Sequence, residues 1–309
     1  MRAVPVLAMP SIMKSMAFMV GLSAVVVAAP PVPALHLLEG LEPTVRTIYV
    51  TVTDGQGAAV PDLAPADFTI KEGGKEREIL KAVPATTRMR LAVMVEERLL
   101  GDGSVRMGVF EFMKRLQPTA EAALITIGLR NNTVVDYTTD LNAIVAGLNG
   151  LSLNPPPQSN LTEGILDIGK TIERDRPARP VVVIVAVSGG QSGGASSNEV
   201  LTQLRQSGAG MNVVSIATNQ GGGALGSLAD ESNREQVLGD GAKQSGGRRV
   251  EVTATIGVPK ALQQIAGDLS AQYMIQYALP EGVKPNRSVN VSLKRRGASL
   301  RAPSAIPDR

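Results

Sequence analysis

Residues 180–194 read PVVVIVAVSGGQSGG. From Val181 to Val187 seven consecutive residues are apolar and mostly β-branched, and an apolar run without alternation marks a strand buried on both faces of a parallel sheet. The stretch is predicted to be a central strand. Ser188, Gly189 and Gly190 break the run at the strand's carboxyl end, where open α/β sheets keep their binding crevices. A functional site is expected there.

The flanks of this strand alternate in type. Upstream, Leu91 to Val95 reads as another apolar strand, followed by Val105, Val109, Phe112, Met113 and Leu116 at helical spacing, with Ser104 as the N-cap and Pro118 as the stop. Ala123 to Leu129 and Thr133 to Tyr137 flank Arg130-Asn131-Asn132 at hairpin-like spacing, so one of them is expected to be an antiparallel edge strand. After Pro155 to Pro157, Asn160 with Glu163 makes a capping-box-like pair before the helical set Leu161, Ile165, Ile168 and Ile172. Downstream, Ser196 with Glu199 caps a helix around Val200, Leu201 and Leu204, Gly208 ends it, and Met211 to Thr218 is the next strand. Residues 219–247 hold six glycines between Gly221 and Gly241 and read as loop with one short helix at Arg234 to Leu238. Pro259, Leu262, Ile265 and Leu269 mark a last amphipathic helix. Strands alternating with helices predict an α/β fold with a Rossmann-like, doubly wound and mostly parallel sheet.

The two chain ends follow a different period. Thr47 to Thr53, Phe68 to Lys71 and Glu78 to Val83 read as strands, and so do Gln272 to Ala278 and Ser288 to Leu293. Each set is too small to stand alone, so both ends are expected to pair into one small β-rich unit with the α/β body inserted in it. The division is a leader over 1–34, a linker over 35–44, β-rich parts over 45–88 and 271–303, the body over 89–270 and a tail over 304–309.

Composition prunes the chemistry. The 309 residues are 43% hydrophobic, with 31 basic and 28 acidic side chains and no Cys; the single His is His36. Disulfides, thiolate metal sites, Cys nucleophiles and imidazole chemistry in the body are therefore excluded. Arg2 and Lys14 precede the apolar segment Ala17 to Ala29, which is shorter than the ~20 residues that span a bilayer. A secretory signal cut ahead of Leu35 fits, with Ala28 marking a rival cut and an uncleaved anchor as the alternative. Removing the leader leaves 29 basic residues against 28 acidic ones. With 3% aromatics and no basic stripe, nucleic acid is not an expected partner, and Lys294-Arg295-Arg296 reads as a solvated strand end.

Two glycine motifs stand against plain loop readings, and a Ser192-dependent hydrolase is the competing function. Gly190-Gln191-Ser192-Gly193-Gly194 matches the G-x-S-x-G elbow, but that triad needs a His after the Ser, and no His follows His36. A lysine base is the alternative, with Lys243 among the candidates, and nothing in the sequence places one nearby. Gly221 to Gly226 matches G-x-G-x-x-G, yet it follows a late strand instead of opening the first βαβ unit.

The order VTVTDGQGAAVPDLAPADFTIKEGG, an α/β body, LADESNREQVLGDGAKQSGGRRVEV and ALQQIAGDLSAQYMIQYALP resembles the bacterial VWFA-related secreted proteins, which carry a von Willebrand factor type A domain between β-rich flanks. The resemblance implies a secreted or envelope location and a binding role without catalysis, toward a protein or envelope component. It also implies a metal-ion-dependent adhesion site, and here the chain departs from the family. Glu96, Arg98 and Leu100 stand at the Asp-x-Ser-x-Ser positions, Asn160 or Thr162 at the Thr loop, and Ser188 where a second Asp belongs. An Arg beside the ion and a missing carboxylate disfavour a hard cation, so no metal or cofactor is expected. Asp102 and Ser104 form a displaced remnant or, more simply, the start of a helix. The candidate binding-face residues are Glu96, Arg98, Asp102, Ser104, Asn160, Thr162 and Ser188.

Overall fold

The computed structural model describes residues 44–154, 158–217 and 227–308. The leader, its cleavage region, His36, Pro155 to Pro157 and the Gly221 to Gly226 motif lie outside the described residues.

In chain order the elements are β1 (Thr44–Asp54), β2 (Phe68–Glu72), β3 (Lys75–Arg77), β4 (Ile79–Pro84), β5 (Met89–Glu96), α1 (Gly103–Leu116), β6 (Ala120–Ile127) and β7 (Asn132–Thr138). Next come α2 (Leu141–Asn149), α3 (Leu161–Asp175), β8 (Pro180–Val187), α4 (Ser197–Ser207), β9 (Gly210–Ile216), α5 (Leu228–Gln244), β10 (Arg249–Val252) and α6 (Val258–Ser270). The chain closes with β11 (Gln272–Leu279), β12 (Val289–Leu293) and β13 (Ala298–Arg301).

The apolar run at 181–187 is a central strand. The body's sheet has the order β10-β9-β8-β5-β6-β7, and every residue of β8 is buried. All pairings are parallel except that of β7, the antiparallel edge strand. Because side chains alternate along a strand, β8 serves two cores. Val181, Val183 and Val185 pack with α1 and α6 residues such as Phe112, Leu262 and Ile265. Val182 and Ile184 pack with Ile165, Val200 and Val237 of α3, α4 and α5. This is the doubly wound order that puts a crevice at the strands' carboxyl ends.

The two chain ends share one β unit. β1 pairs antiparallel with β11, Thr47 opposite Gln276, within a sheet of order β13-β1-β11-β4, and β12 pairs with β2 in a second sheet of order β12-β2-β3. Their inner faces bury Ile48, Val50, Phe68, Ile70, Ile275 and Tyr277. Within this core the Arg46–Glu72 ion pair closes at 3.0 Å, and the Tyr277 hydroxyl donates to Glu72 at 2.7 Å.

Four local expectations need correction. Asp102, not Ser104, caps α1, its carboxylate accepting from the Ser104 amide at 2.7 Å. Asn160 precedes α3 without a side-chain cap bond: its amide donates to Leu129 O at 2.7 Å, and Glu163 turns instead to the amides of Gly194 and Ala195. Residues 228–244 form a 17-residue helix where only 234–238 were expected to be helical. A Ser227/Asp230 capping box starts α5, and Gly241 lets it lie close to the sheet, since a Cβ there would stand 3.0 Å from Met211 Cε. Packing thus outweighs the glycine penalty of ~1 kcal/mol. Finally, α2 and β10 were not foreseen. Each is short, and α2 buries only Ile144 and Leu148.

Candidate functional site

The end of β5 carries the site's charge. Glu96, its last residue, is fully buried. One carboxylate oxygen accepts from Arg234 Nη2 at 2.7 Å and the other from the Val187 amide at 2.8 Å, while Arg98 Nε stands 3.5 Å away. Burial pushes the Glu96 carboxyl upward, but the Arg234 and Arg98 guanidiniums outweigh it and hold the group below its ordinary value. Arg234 comes from α5 and is itself fully buried. It donates to Val187 O at 2.8 and 3.0 Å and to Gln191 O at 2.9 Å, so its charge and its hydrogen-bonding capacity are met by the ends of β5 and β8 and the loop after β8.

That loop, 188–194, is held from both sides. Arg98 Nη2 donates to Gly189 O at 3.2 Å. Gly190 and Gly193 have φ of 119° and 103°, conformations open to glycine. At Gly193 a Cβ would also overlap the Glu163 carboxylate. Thr162 at the start of α3 donates through its hydroxyl to Ser192 O at 2.9 Å and through its amide at 2.8 Å. The Ser188 amide donates to Ile216 O at 2.8 Å, tying the loop's start to β9.

The expected site residues therefore fall into three groups. Glu96, Arg98 and Ser188 share the ends of β5 and β8, and Thr162 joins them through Ser192. Asn160 braces the turn after β6, bonded to Leu129 O and accepting from Asn131 Nδ2 at 3.2 Å. Asp102 and Ser104 belong to the start of α1, where Asp102 also accepts from the Thr255 hydroxyl at 2.6 Å. Arg234 and Glu163 were missed. The short helix expected at Arg234 to Leu238 places Arg234 on a helix but carries no sign of its partner Glu96, and Glu163 reads as half of a capping pair.

These residues do not fit a divalent cation. A hard ion needs several oxygen donors carrying negative charge, but the one carboxylate at the motif positions is already engaged by two guanidiniums and an amide. Among the described residues no three His, Cys, Asp or Glu side chains gather into a metal-holding group.

Nor does the elbow motif supply a nucleophile. Ser192 is 1% exposed. Its hydroxyl donates to Asp230 Oδ1 at 3.0 Å and accepts from Asn233 Nδ2 at 3.3 Å. The Asp230 carboxyl is held below its usual value by the Ser227 amide and the hydroxyls of Ser227 and Ser192, which makes it a weak base.

Among the described residues no helix is long and apolar enough to cross a membrane. No protein-family model matches the chain, and no curated protein matches it. Solved structures do resemble it. An aerotolerance-related membrane protein from Bacteroides fragilis is 12% identical, the match covering 58% of this chain and 98% of that one at a TM-score of 0.40. Proximal thread matrix protein 1 from the mussel byssus is also 12% identical, over 60% of this chain but about half (48%) of its own length, at a TM-score of 0.44. The vWF domain of the type V pili tip protein Mfa5 from Porphyromonas gingivalis is 9% identical over 59% and 95%, at a TM-score of 0.42. At such identities no residue role carries across. The body's own sheet order and antiparallel edge strand make it a Rossmann-like α/β fold, and the solved structures it is similar to include von Willebrand factor type A domains.

Proposed function

We propose that this protein is a non-enzymatic binding module, secreted or held in the cell envelope, that engages another protein or an envelope component through the loops at the carboxyl end of its parallel sheet. One observation carries the reading. Leu129, Leu153, Leu228 and Ile256 are 62, 67, 85 and 80% exposed, and all four lie on connections at that end, after β6, before α3, at the start of α5 and after β10. They are the four most exposed large apolar side chains among the described residues, and their place on the loops of one end supports an interaction surface there. At the ends of β5 and β8 Glu96 is paired with Arg234 at 2.7 Å, which supports binding without a metal: Arg234 supplies internally the positive charge an ion would bring.

Two experiments test this. Co-purification from the native envelope is compared for the unmutated protein and a variant with Leu129, Leu153, Leu228 and Ile256 all changed to Ser. A partner lost with the variant at unchanged melting temperature is expected, and a partner retained equally by both would overturn the assignment of the face. Separately, melting in chelator and in excess Mg²⁺ should coincide. Ion binding at a hundredfold excess over Kd would add about 2.7 kcal/mol of stability, readily seen as a shift. A rise abolished by Asp102→Ala would favour the competing reading, adhesion through a displaced metal site.

A further inference from the structure

A cleft of about 520 Å³ opens at the amino end of the body's sheet, opposite the carboxyl-end loops. One wall is the outer face of the β1–β11 pair, where Thr47, Tyr49, Met274 and Gln276 alternate away from the β unit's core. The other wall is the start of β8 and β9 with the ends of α4 and α5.

The charge of this cleft is one-sided. Four arginines line it, Arg46, Arg176, Arg179 and Arg205, and among the described residues no Asp or Glu does. Arg46 is neutralised by Glu72 at 3.0 Å. The other three have no carboxylate partner among the described residues. Arg179 is 3% exposed and donates to neutral acceptors alone: Thr87 O at 3.0 Å, Leu269 O at 2.8 Å and Gln272 Oε1 at 2.8 Å are its closest. Burial lowers its pKa to about 10, where it still holds its proton at neutral pH. Arg205 donates to Gln244 Oε1 at 2.8 Å and Thr202 Oγ1 at 3.0 Å, and Arg176 is exposed at the rim. Hydrogen bonds satisfy these guanidiniums, and the centre of the Tyr49 ring lies 5.3 Å from the Arg179 guanidinium, but among the described residues no carboxylate pairs with them, and a concave wall focuses the field. Between them Leu201, Leu204, Met274 and Ile306 provide apolar surface.

We propose that this cleft binds a small amphiphilic organic anion, its head group toward Arg176, Arg179 and Arg205 and its apolar body against Leu201, Met274 and Ile306. The volume lies in the range of about 300–1,000 Å³ typical of small-molecule sites, which likewise combine apolar lining with a few placed polar groups. This site stands apart from the carboxyl-end face and does not depend on it.

The test uses the whole protein with octanoate as probe, read by calorimetry and melting temperature, against octanol and inorganic phosphate. Arg179→Gln is avoided because that side chain ties β8 to α6 and β11. Arg176→Gln and Arg205→Gln remove charges at the rim and on α4. Octanoate should bind saturably and at least about tenfold tighter than either control, and the double variant should lose about tenfold in octanoate affinity while its unliganded melting temperature is kept. Octanol binding equally well would reduce the site to an apolar cleft, and phosphate binding equally well would remove the apolar half; either outcome overturns the proposal. So would unchanged octanoate affinity in the double variant, or no saturable binding up to about 10 mM.

Discussion

Glu96 and Arg234 are buried ions whose partners leave almost no capacity unused, which is the condition under which an internal pair holds together. Removing one charge strands the other. Glu96→Gln and Arg234→Met are each expected to lose about 3–5 kcal/mol of stability, and the double variant less than the sum, because no ion is then left unpaired. Urea unfolding of the four proteins measures this, and strict additivity would show that the two side chains are not coupled. The same pair sets an acid dependence. The Glu96 carboxyl sits below its ordinary value of 4.5 in the folded state, so its stabilisation is complete above that pH and is lost as pH falls through the folded value. Glu72, also lowered, acts in the same direction, its burial outweighed by the Asn286 amide, the Tyr277 hydroxyl and Arg46. Stability should therefore fall below about pH 4.5, and less steeply in Glu96→Gln; equal slopes would assign the acid dependence to other carboxylates.

At the scale of elements, α5 shows how a helix can be hidden in its own sequence. Its glycines read as loop, yet it starts on a capping box at Ser227 and Asp230 and buries Val237, Leu238 and Ala242. Ser227→Ala should cost about 1 kcal/mol, measured as a lowered urea midpoint, and no change would mean the first turn is held by packing alone. Gly247, just before β10, makes a sharper case. A Cβ there would lie 1.8 Å from the Met211 carbonyl oxygen, a backbone atom that cannot turn aside. Gly247→Ala should therefore lose more than about 2 kcal/mol, and hydrogen exchange should report the loss first at β9 and β10. The central strand, by contrast, was legible, since seven consecutive apolar residues admit burial on both faces and little else.

For the whole molecule, the two cores of the body contain no residue of the β unit. A chain cut to residues 89–271 is expected to keep its helical circular dichroism and unfold in one cooperative step. Loss of cooperativity would mean that Arg179, bonded to Ala85 O, Thr87 O and Gln272, makes the β unit part of the body's fold. The inverse piece, residues 44–84, has no such independence, because Ile48 and Val50 of β1 complete their core with Ile275 and Tyr277 of β11.

The amino-acid sequence by itself determined the alternation of strands and helices, the antiparallel edge strand and the need for the two chain ends to meet. All three follow from local periodicity and from counting strands against what an isolated sheet requires. It also determined that no His or Cys chemistry operates in the body, because absence needs no coordinates. The tertiary structure alone decided what stands against Glu96. Arg234 lies 138 residues away and announces itself by no motif, since an ion pair depends on where two side chains end and not on their spacing in the chain. The arginine-lined cleft is of the same kind: Tyr49, Arg179, Arg205 and Gln244 come from four separate segments, and only the docking of the β unit against the amino end of the parallel sheet brings them around one cleft.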